Sequence, residues 1–145
     1  MAVKTEWEDD GAGVILAFSG VVDGPELIGA LSRLVAEFDL TKLRYQSWDF
    51  TDVVEFNMSM VQMRELGAIS AQSMKQGMQK RFIAVTAPQD HVYGQVRQWT
   101  VFAGEQDGRP ASFEIFRDRG AADAWTDERM TETYGPNAAP FKNPE

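Results

Sequence analysis

The stretch RYQSWDFTDVVEFNMSMVQMRELG, residues 44–67, decides the fold. It reads as a strand over about residues 43–50 that ends in acidic residues, then a short loop, then a methionine-rich helix. Ser59 stands at the start of that helix, where unpaired backbone N–H groups and the positive end of the helix dipole favour anions. The pattern therefore predicts a strand–loop–helix unit with an anion or phosphorylation site. Its candidate residues are Ser59, Asn57 and Asp49.

The residues before this unit predict a hairpin and a helix. Residues 3–8 alternate apolar or neutral with charged side chains, which is typical of a half-exposed strand. Asp9-Asp10-Gly11 is a turn signal, and residues 14–18 then form a buried strand, so the two strands pair antiparallel. A first helix begins at Asp23-Gly24-Pro25, because Asp23 or Gly24 suits the cap and proline the first helical position.

After the unit, strands and helices continue to alternate. The second helix runs over about residues 59–77, strands are predicted near 80–86 and 113–116, and Asp90 and Asp118 begin two further helices. This alternation predicts a single-domain α/β fold with a mixed, largely parallel sheet, an N-terminal antiparallel hairpin and about four helices. We assign the domain to residues 1–130. Residues 131–145 predict a flexible, proline-containing tail, in which Tyr134 and Phe141 could dock on a neighbour.

Charge and composition exclude several classes of function. The 145 residues carry a net charge of −8, and their basic residues are scattered, so nucleic acid and anionic membranes are poor partners. The chain has no cysteine, which excludes disulfides, thiolate zinc sites and cysteine nucleophiles. The N-terminal residues lack an apolar leader, and the longest apolar run is too short for a membrane span. A cytoplasmic protein without membrane insertion is expected.

Ser59 and the methionines each allow two interpretations. Serine is a preferred N-cap residue, and this interpretation of Ser59 is favoured over a regulated phosphorylation site. The methionines near one face of the second helix suit core packing, and they also suit an adaptable apolar pocket in which Gly67 allows close approach. The candidate pocket residues are Met60, Met63, Gly67, Met74 and Met78.

The remaining polar residues give no catalytic or metal-binding pattern. His91 is the only histidine, and a surface position at a helix start is its favoured interpretation. Tyr93 and Arg97 lie one helical turn apart, so together with His91 they are candidate partner or ligand contacts. Asp49, Asp52 and Glu55 fit a solvated loop better than a cation site. No phosphate-binding glycine loop is present, and neither a cofactor nor a metal is expected.

Several short motifs resemble one family in their order along the chain. They are RFIAVTAP at residues 81–88, Val92-Tyr93-Gly94 with Arg97, FEIFRD at residues 113–118, and Ala121, Ala124 and Trp125. This order is similar to that of small uncharacterised bacterial proteins of the SpoIIAA-like (STAS-like) fold, which is related to the lipid-binding CRAL-TRIO domains. In anti-anti-sigma factors of this fold a serine in an Asp-Ser-Ser-Gly turn is phosphorylated. The resemblance places Ser59 at that position, although Asn57, Met58 and Met60 depart from the turn motif.

Together these observations favour a non-catalytic module that binds another protein. Its role is regulatory if Ser59 is a switch, and a homodimer is expected if its tryptophans are exposed. The alternative is a binder of a small apolar ligand or lipid that uses the methionine-rich second helix. An enzyme is the third interpretation, because no pair of a nucleophile and a base can be recognised in the sequence.

Overall fold

The computed structural model describes residues 1–37, 41–76, 80–105 and 111–142, and their side chains except those of residues 35, 70–76, 99–105 and 111–112. It confirms the predicted α/β class, with a mixed five-stranded sheet and four helices in the described ranges. The elements are β1 Ala2–Glu8, a short 3-10 turn at Asp9–Gly11, β2 Gly13–Asp23, α1 Gly24–Glu37, β3 Tyr45–Asn57, α2 Met60–Gln76, β4 Arg81–Thr86, α3 Asp90–Glu105, β5 Ala111–Phe116 and α4 Arg119–Tyr134.

The strands lie in the sheet in the order in which they occur in the chain. β1 pairs antiparallel with β2, as the turn signal predicted, and the other three pairings are parallel. Helices α1, α2 and α3 pack side by side and connect the parallel strands, whereas α4 contacts β3, β4 and β5. The larger core lies between the sheet and the first three helices. A smaller core lies beneath α4.

Alternation along the strands divides the side chains between the two cores. Val14, Leu16 and Phe18 of β2 are buried with Trp48 and Phe50 of β3 in the larger core, in agreement with their shared register. The neighbouring residues face the other side, so that Tyr45 and Phe82, which are register partners, pack with Met130 of α4. This period of two is what a sheet covered on both faces requires.

Strands β2 and β3 are longer than the sequence predicted. The sequence predicts strands over residues 14–18 and 43–50 and a loop at Asp52 and Glu55. In the structure this segment continues β3, because Val53 and Phe56 are buried in the larger core while Asp52 and Glu55 stay exposed. Register shifts in the β2–β3 pairing at Ala17–Ser19 and Gly20–Val21 accompany this irregular alternation.

The C-terminal residues also differ from the prediction. α4 continues to Tyr134, beyond the predicted domain boundary at residue 130, and Gly135 ends it with a φ of 111°. The following residues fold back on the domain: the Phe141 N–H donates to Asp127 at 2.8 Å, and the Phe141 ring lies edge-on to Tyr45. Residues 131–142 are therefore a helical turn and a packed segment in place of the expected flexible tail, because their aromatic side chains complete the smaller core.

None of the helices in the described ranges is both long and apolar enough to cross a lipid bilayer.

Gly13 of β2 makes room for the Tyr45 ring of β3. A Cβ atom at this position would lie 1.9 Å from Cζ of the Tyr45 ring, so the ring rests directly on the glycine backbone. This contact places the Tyr45 hydroxyl across β2, at the end of β1. There the hydroxyl is the hydrogen-bond donor to Glu8 Oε1, at 2.9 Å, and to Asp9 Oδ2, at 2.7 Å.

We predict opposite effects of alanine at two glycines. Gly13→Ala should lower the free energy of unfolding by about 2 kcal/mol or more, because the rigid Tyr45 ring is buried and cannot yield. Gly94→Ala, in α3, should raise it by about 0.5–1 kcal/mol, because nothing lies within 4 Å of the added methyl group and alanine favours helices. Urea unfolding measures both; equal effects of the two substitutions would contradict the packing of Tyr45 on Gly13.

Candidate functional site

The end of β3 extends well beyond β4. β4 pairs only with residues Tyr45–Asp49, whereas β2 accompanies β3 as far as Asn57. Two glutamine side chains of the α3 region take the place of the missing strand. The Gln89 amide nitrogen lies 2.6 Å from the carbonyl oxygen of Val53 and 3.0 Å from that of Thr51, and the Gln95 amide donates to Phe56 at 2.5 Å. The carbonyl groups of this strand edge are thus hydrogen-bonded without another strand.

Large apolar side chains are exposed at this projecting end. They come from β2, from β3 and from the first turn of α2, which begins three residues after β3 ends. We call this group the apolar end; it comprises Val21 (46% exposed), Val54 (72%), Met60 (54%) and Val61 (76%). Exposed carboxylates at Asp52 and Glu55 and the half-exposed Asp23 lie on the same part of β2 and β3. The end of the sheet is therefore apolar with acidic neighbours, a pattern typical of interaction surfaces.

Ser59 caps α2 at the edge of this surface. Its Oγ accepts a hydrogen bond from the Gln62 N–H at 3.1 Å, and the Gln62 side chain accepts one from the Ser59 N–H at 2.9 Å. This reciprocal arrangement is a capping box. The Gln62 side chain also lies against Gly24, where a Cβ would approach its Oε1 to 2.1 Å, so the cap joins the start of α2 to the start of α1. Ser59 itself is exposed.

The other residues of the predicted anion site are placed elsewhere. Asn57 is the last residue of β3, and its amide donates to Glu55 at 3.1 Å. Asp49 lies eight residues earlier in the same strand, roughly 26 Å away at about 3.3 Å per residue, and its carboxylate accepts from Thr51 and faces Arg119 at 3.5 Å. The extension of β3 thus separates Asp49 from Ser59.

The methionine-rich face is divided between the core and the surface. Met60 is exposed at the apolar end, whereas Met63 is only 1% exposed and packs in the larger core, and Gly67 is buried. Met74 and Met78 lie outside the residues whose side chains the structure describes. The described part of α2 therefore uses Met63 as a core residue, and no methionine of α2 lines the groove between β1 and α1 or the groove beside Tyr45.

At the start of α3, the Tyr93 ring has a cationic neighbour that the sequence did not predict. The Arg117 guanidinium lies 4.1 Å from the centre of the Tyr93 ring and forms an ion pair with Asp90. The hydrogen bond and the charge of Arg117 lower the pKa of Asp90. Arg97 and His91 are exposed on α3. Arg117 follows β5, next to β4 in the sheet, so its place depends on the strand order and not on helical spacing.

Tyr45 and Arg119 form a polar cluster on the opposite face that the sequence did not reveal. Burial raises the pKa of the Tyr45 hydroxyl, and its hydrogen bonds to Asp9 and Glu8 raise it further. Burial also raises the pKa of Glu8. Arg119 bridges Asp49 and Asp123 across β3 and α4. A phenol that holds its proton so tightly is a structural donor and a poor acid.

No catalytic or metal-binding arrangement emerges from these clusters. His91 is exposed, and the Ser59 oxygen is used in the cap. In the described parts of the chain no three His, Asp or Glu side chains are grouped as the ligands of a metal ion would be. Asp49, Asp52 and Glu55 lie along an extended strand, which spaces their carboxylates apart.

Comparison with known proteins identifies one solved structure of similar architecture. It is an uncharacterised protein of the DUF3478 family with a SpoIIAA-like fold from Shewanella loihica PV-4, 16% identical in sequence, with a TM-score of 0.49; the match covers 86% of this chain and 91% of that chain. The description of that protein names the fold that the sequence motifs resemble. The match carries no information about function. No protein-family model and no curated protein matches the chain.

We predict that the Ser59 hydroxyl contributes to stability as a helix cap. Ser59→Ala should lower the free energy of unfolding by about 1 kcal/mol, because the Gln62 N–H loses its acceptor. Ser59→Asp should retain most of it, because aspartate is an equally good cap and its charge suits the helix dipole. Urea unfolding compares the two variants, and a Ser59→Asp variant as unstable as Ser59→Ala would contradict the cap.

Proposed function

We propose that this chain is a non-catalytic protein-interaction module that binds its partner through the apolar end. The supporting observation is the collection of four exposed apolar side chains, Val21, Val54, Met60 and Val61, at the ends of β2 and β3 and the start of α2. A single exposed valine is ordinary on a protein surface, whereas several from three elements form a patch whose burial is favourable. Complete burial of one valine side chain contributes about 1.5 kcal/mol to association.

The mode of binding follows from the edge of β3. An extended peptide adds to a sheet by pairing with free carbonyl and N–H groups, but the Gln89 and Gln95 amides already occupy carbonyl groups of this edge. The partner therefore contacts side chains and does not extend the sheet at β3. Because the patch sits on a paired strand and a capped helix, little ordering accompanies binding.

The charges around the patch define the chemistry of the partner. Asp52 and Glu55 are exposed beside the apolar side chains, and the whole chain carries a net charge of −8. A surface with a central apolar group surrounded by Lys and Arg complements this arrangement, and an acidic protein surface does not. Ser59 is exposed next to Met60, so phosphorylation there would add roughly 1.5–2 negative charges to the surface that a partner meets.

The alternative of an apolar-ligand carrier on α2 has less support. It requires a cavity along the methionine face, but Met63 fills the core and Met60 is exposed at the helix start. Neither side chain lines the groove between β1 and α1 or the groove beside Tyr45. The geometry of the described part of α2 thus suits packing and surface contact better than the enclosure of a ligand.

We predict that a carboxylate in the patch abolishes partner binding. The wild type and the variants Val54→Asp, Val61→Asp and Ala124→Asp are each used to capture proteins from an extract of the native cells, and the captured proteins are compared. Ala124→Asp is the control, because it places the same charge at an exposed position of α4. The captured partner is then purified, and calorimetry measures its affinity. We expect Val54→Asp and Val61→Asp each to weaken binding about tenfold or more, because a desolvated carboxylate replaces a buried methyl surface, and Ala124→Asp to leave it unchanged.

Two results would overturn the proposal. One is equal affinity of the purified partner for the wild type and both patch variants, with all chains folded by circular dichroism. The other is a small apolar molecule that native mass spectrometry finds bound in stoichiometric amount to the freshly purified wild type and that Met60→Ala releases, which would support the carrier instead.

A further inference from the structure

The strand β1 forms one border of the sheet. It pairs with β2 on one side, and among the described residues no other strand lies beyond it. Half of the backbone N–H and C=O groups of a border strand point away from its neighbour and are available to another strand. β1 is seven residues long and regular, with an unbroken register from Ala2 to Glu8. It lacks the proline or bulge that commonly protects such a border.

The side chains of β1 divide between the two faces of the sheet. Val3, Thr5 and Trp7 pair with the buried residues of β2 and so lie on the face of α1. Lys4 and Glu6 lie on the other face and are exposed. One side of the strand is therefore apolar and carries Trp7, which is 43% exposed. The other side carries a cation, Lys4, and an anion, Glu6, which come directly before and directly after Thr5 in the chain.

We propose that two copies of this chain pair antiparallel through β1, about a two-fold axis at Thr5. This register places Lys4 opposite the partner's Glu6 and Glu6 opposite the partner's Lys4. It also places Val3 opposite the partner's Trp7, and all seven residues of each strand are paired. Opposite charges and an aromatic–aliphatic pair at facing positions are both favourable across an antiparallel pair.

The neighbouring registers are unfavourable. A two-fold axis perpendicular to the sheet keeps each side chain on its own face, so the axis must pass at a residue. An axis at Lys4 would place two lysines opposite each other, and an axis at Glu6 two glutamates, and both also shorten the pairing. Like charges at facing positions destabilise a pair. The positions of Lys4 and Glu6 on either side of Thr5 therefore favour one register. They also favour a second copy of this chain as the partner.

A groove beside β1 fits the tryptophan of the second copy. It has a volume of about 460 Å³ and lies between β1 and α1, with Val3, Thr5, Ala30 and Leu34 among its lining residues. In the proposed pair the partner's Trp7 stands opposite Val3 on this same face. Gly29 of α1 also lines the groove, and nothing lies within 4 Å of its missing Cβ, so the helix leaves room for an indole ring.

Charge exchange at Lys4 and Glu6 tests the pairing. The probe is the whole chain, and sedimentation velocity over a concentration series measures dimerisation. We expect a wild-type dimer, and we expect Lys4→Glu and Glu6→Lys each to weaken dimerisation about tenfold or more, because two facing pairs become repulsive. Mixing the two variants should restore the dimer, because in both facing pairs a glutamate of the Lys4→Glu chain then lies opposite a lysine of the Glu6→Lys chain. Lys42→Glu, the same charge change in an exposed residue before β3, should leave dimerisation unchanged.

Several outcomes would overturn the proposal. These are a wild type that stays monomeric at every concentration, a dimer that neither single exchange weakens, or a mixture of the two variants that fails to form the heterodimer although both variants are folded. Trp7→Ala provides a second measurement without any change of charge: it should weaken dimerisation, and an unchanged dissociation constant would exclude Trp7 from the interface. This surface is separate from the apolar end, so Val54→Asp should leave the dimer intact.

Discussion

The mismatch in length between β3 and β4 is the constraint from which the rest of the account follows. β3 has 13 residues and β4 has six, so the end of β3 has a strand on one side only. Backbone carbonyl groups at such an edge need hydrogen-bond donors, and the Gln89 and Gln95 side chains of the α3 region supply them. The projecting end is thereby an ordered surface.

The two ends of the sheet differ because the described residues of the chain cover only one of them. Near the start of β3 the Tyr45 ring lies on Gly13, the Phe141 ring packs against Tyr45, and the residues after α4 cover this region. These contacts use the apolar side chains that are present there. At the far end of β3 no described element covers Val54 or Val61, so their apolar surface remains available for association.

Much of the fold could be predicted from the sequence because its signals are local. The turn at Asp9-Asp10-Gly11 and the caps at Ser59 and Asp118 each act over three or four residues. The length of β3 escaped prediction, because Asp52 and Glu55 suggest a loop unless their exposure between buried residues is known. The contact of Tyr45 with Glu8, 37 residues apart, and that of Arg117 with Tyr93 depend on strand order, which no local spacing encodes.

Hydrogen exchange in β3 tests most directly whether the projecting end is an ordered strand held by α3. Amide exchange of residues 50–57 is compared with that of residues 45–49, in the wild type and in a Gln89→Ala variant. The account predicts slow exchange of both segments in the wild type, and faster exchange of residues 50–57 alone in the variant, because the edge carbonyls lose their donor. Rapid exchange of residues 50–57 in the wild type, or no effect of Gln89→Ala on them, would contradict it.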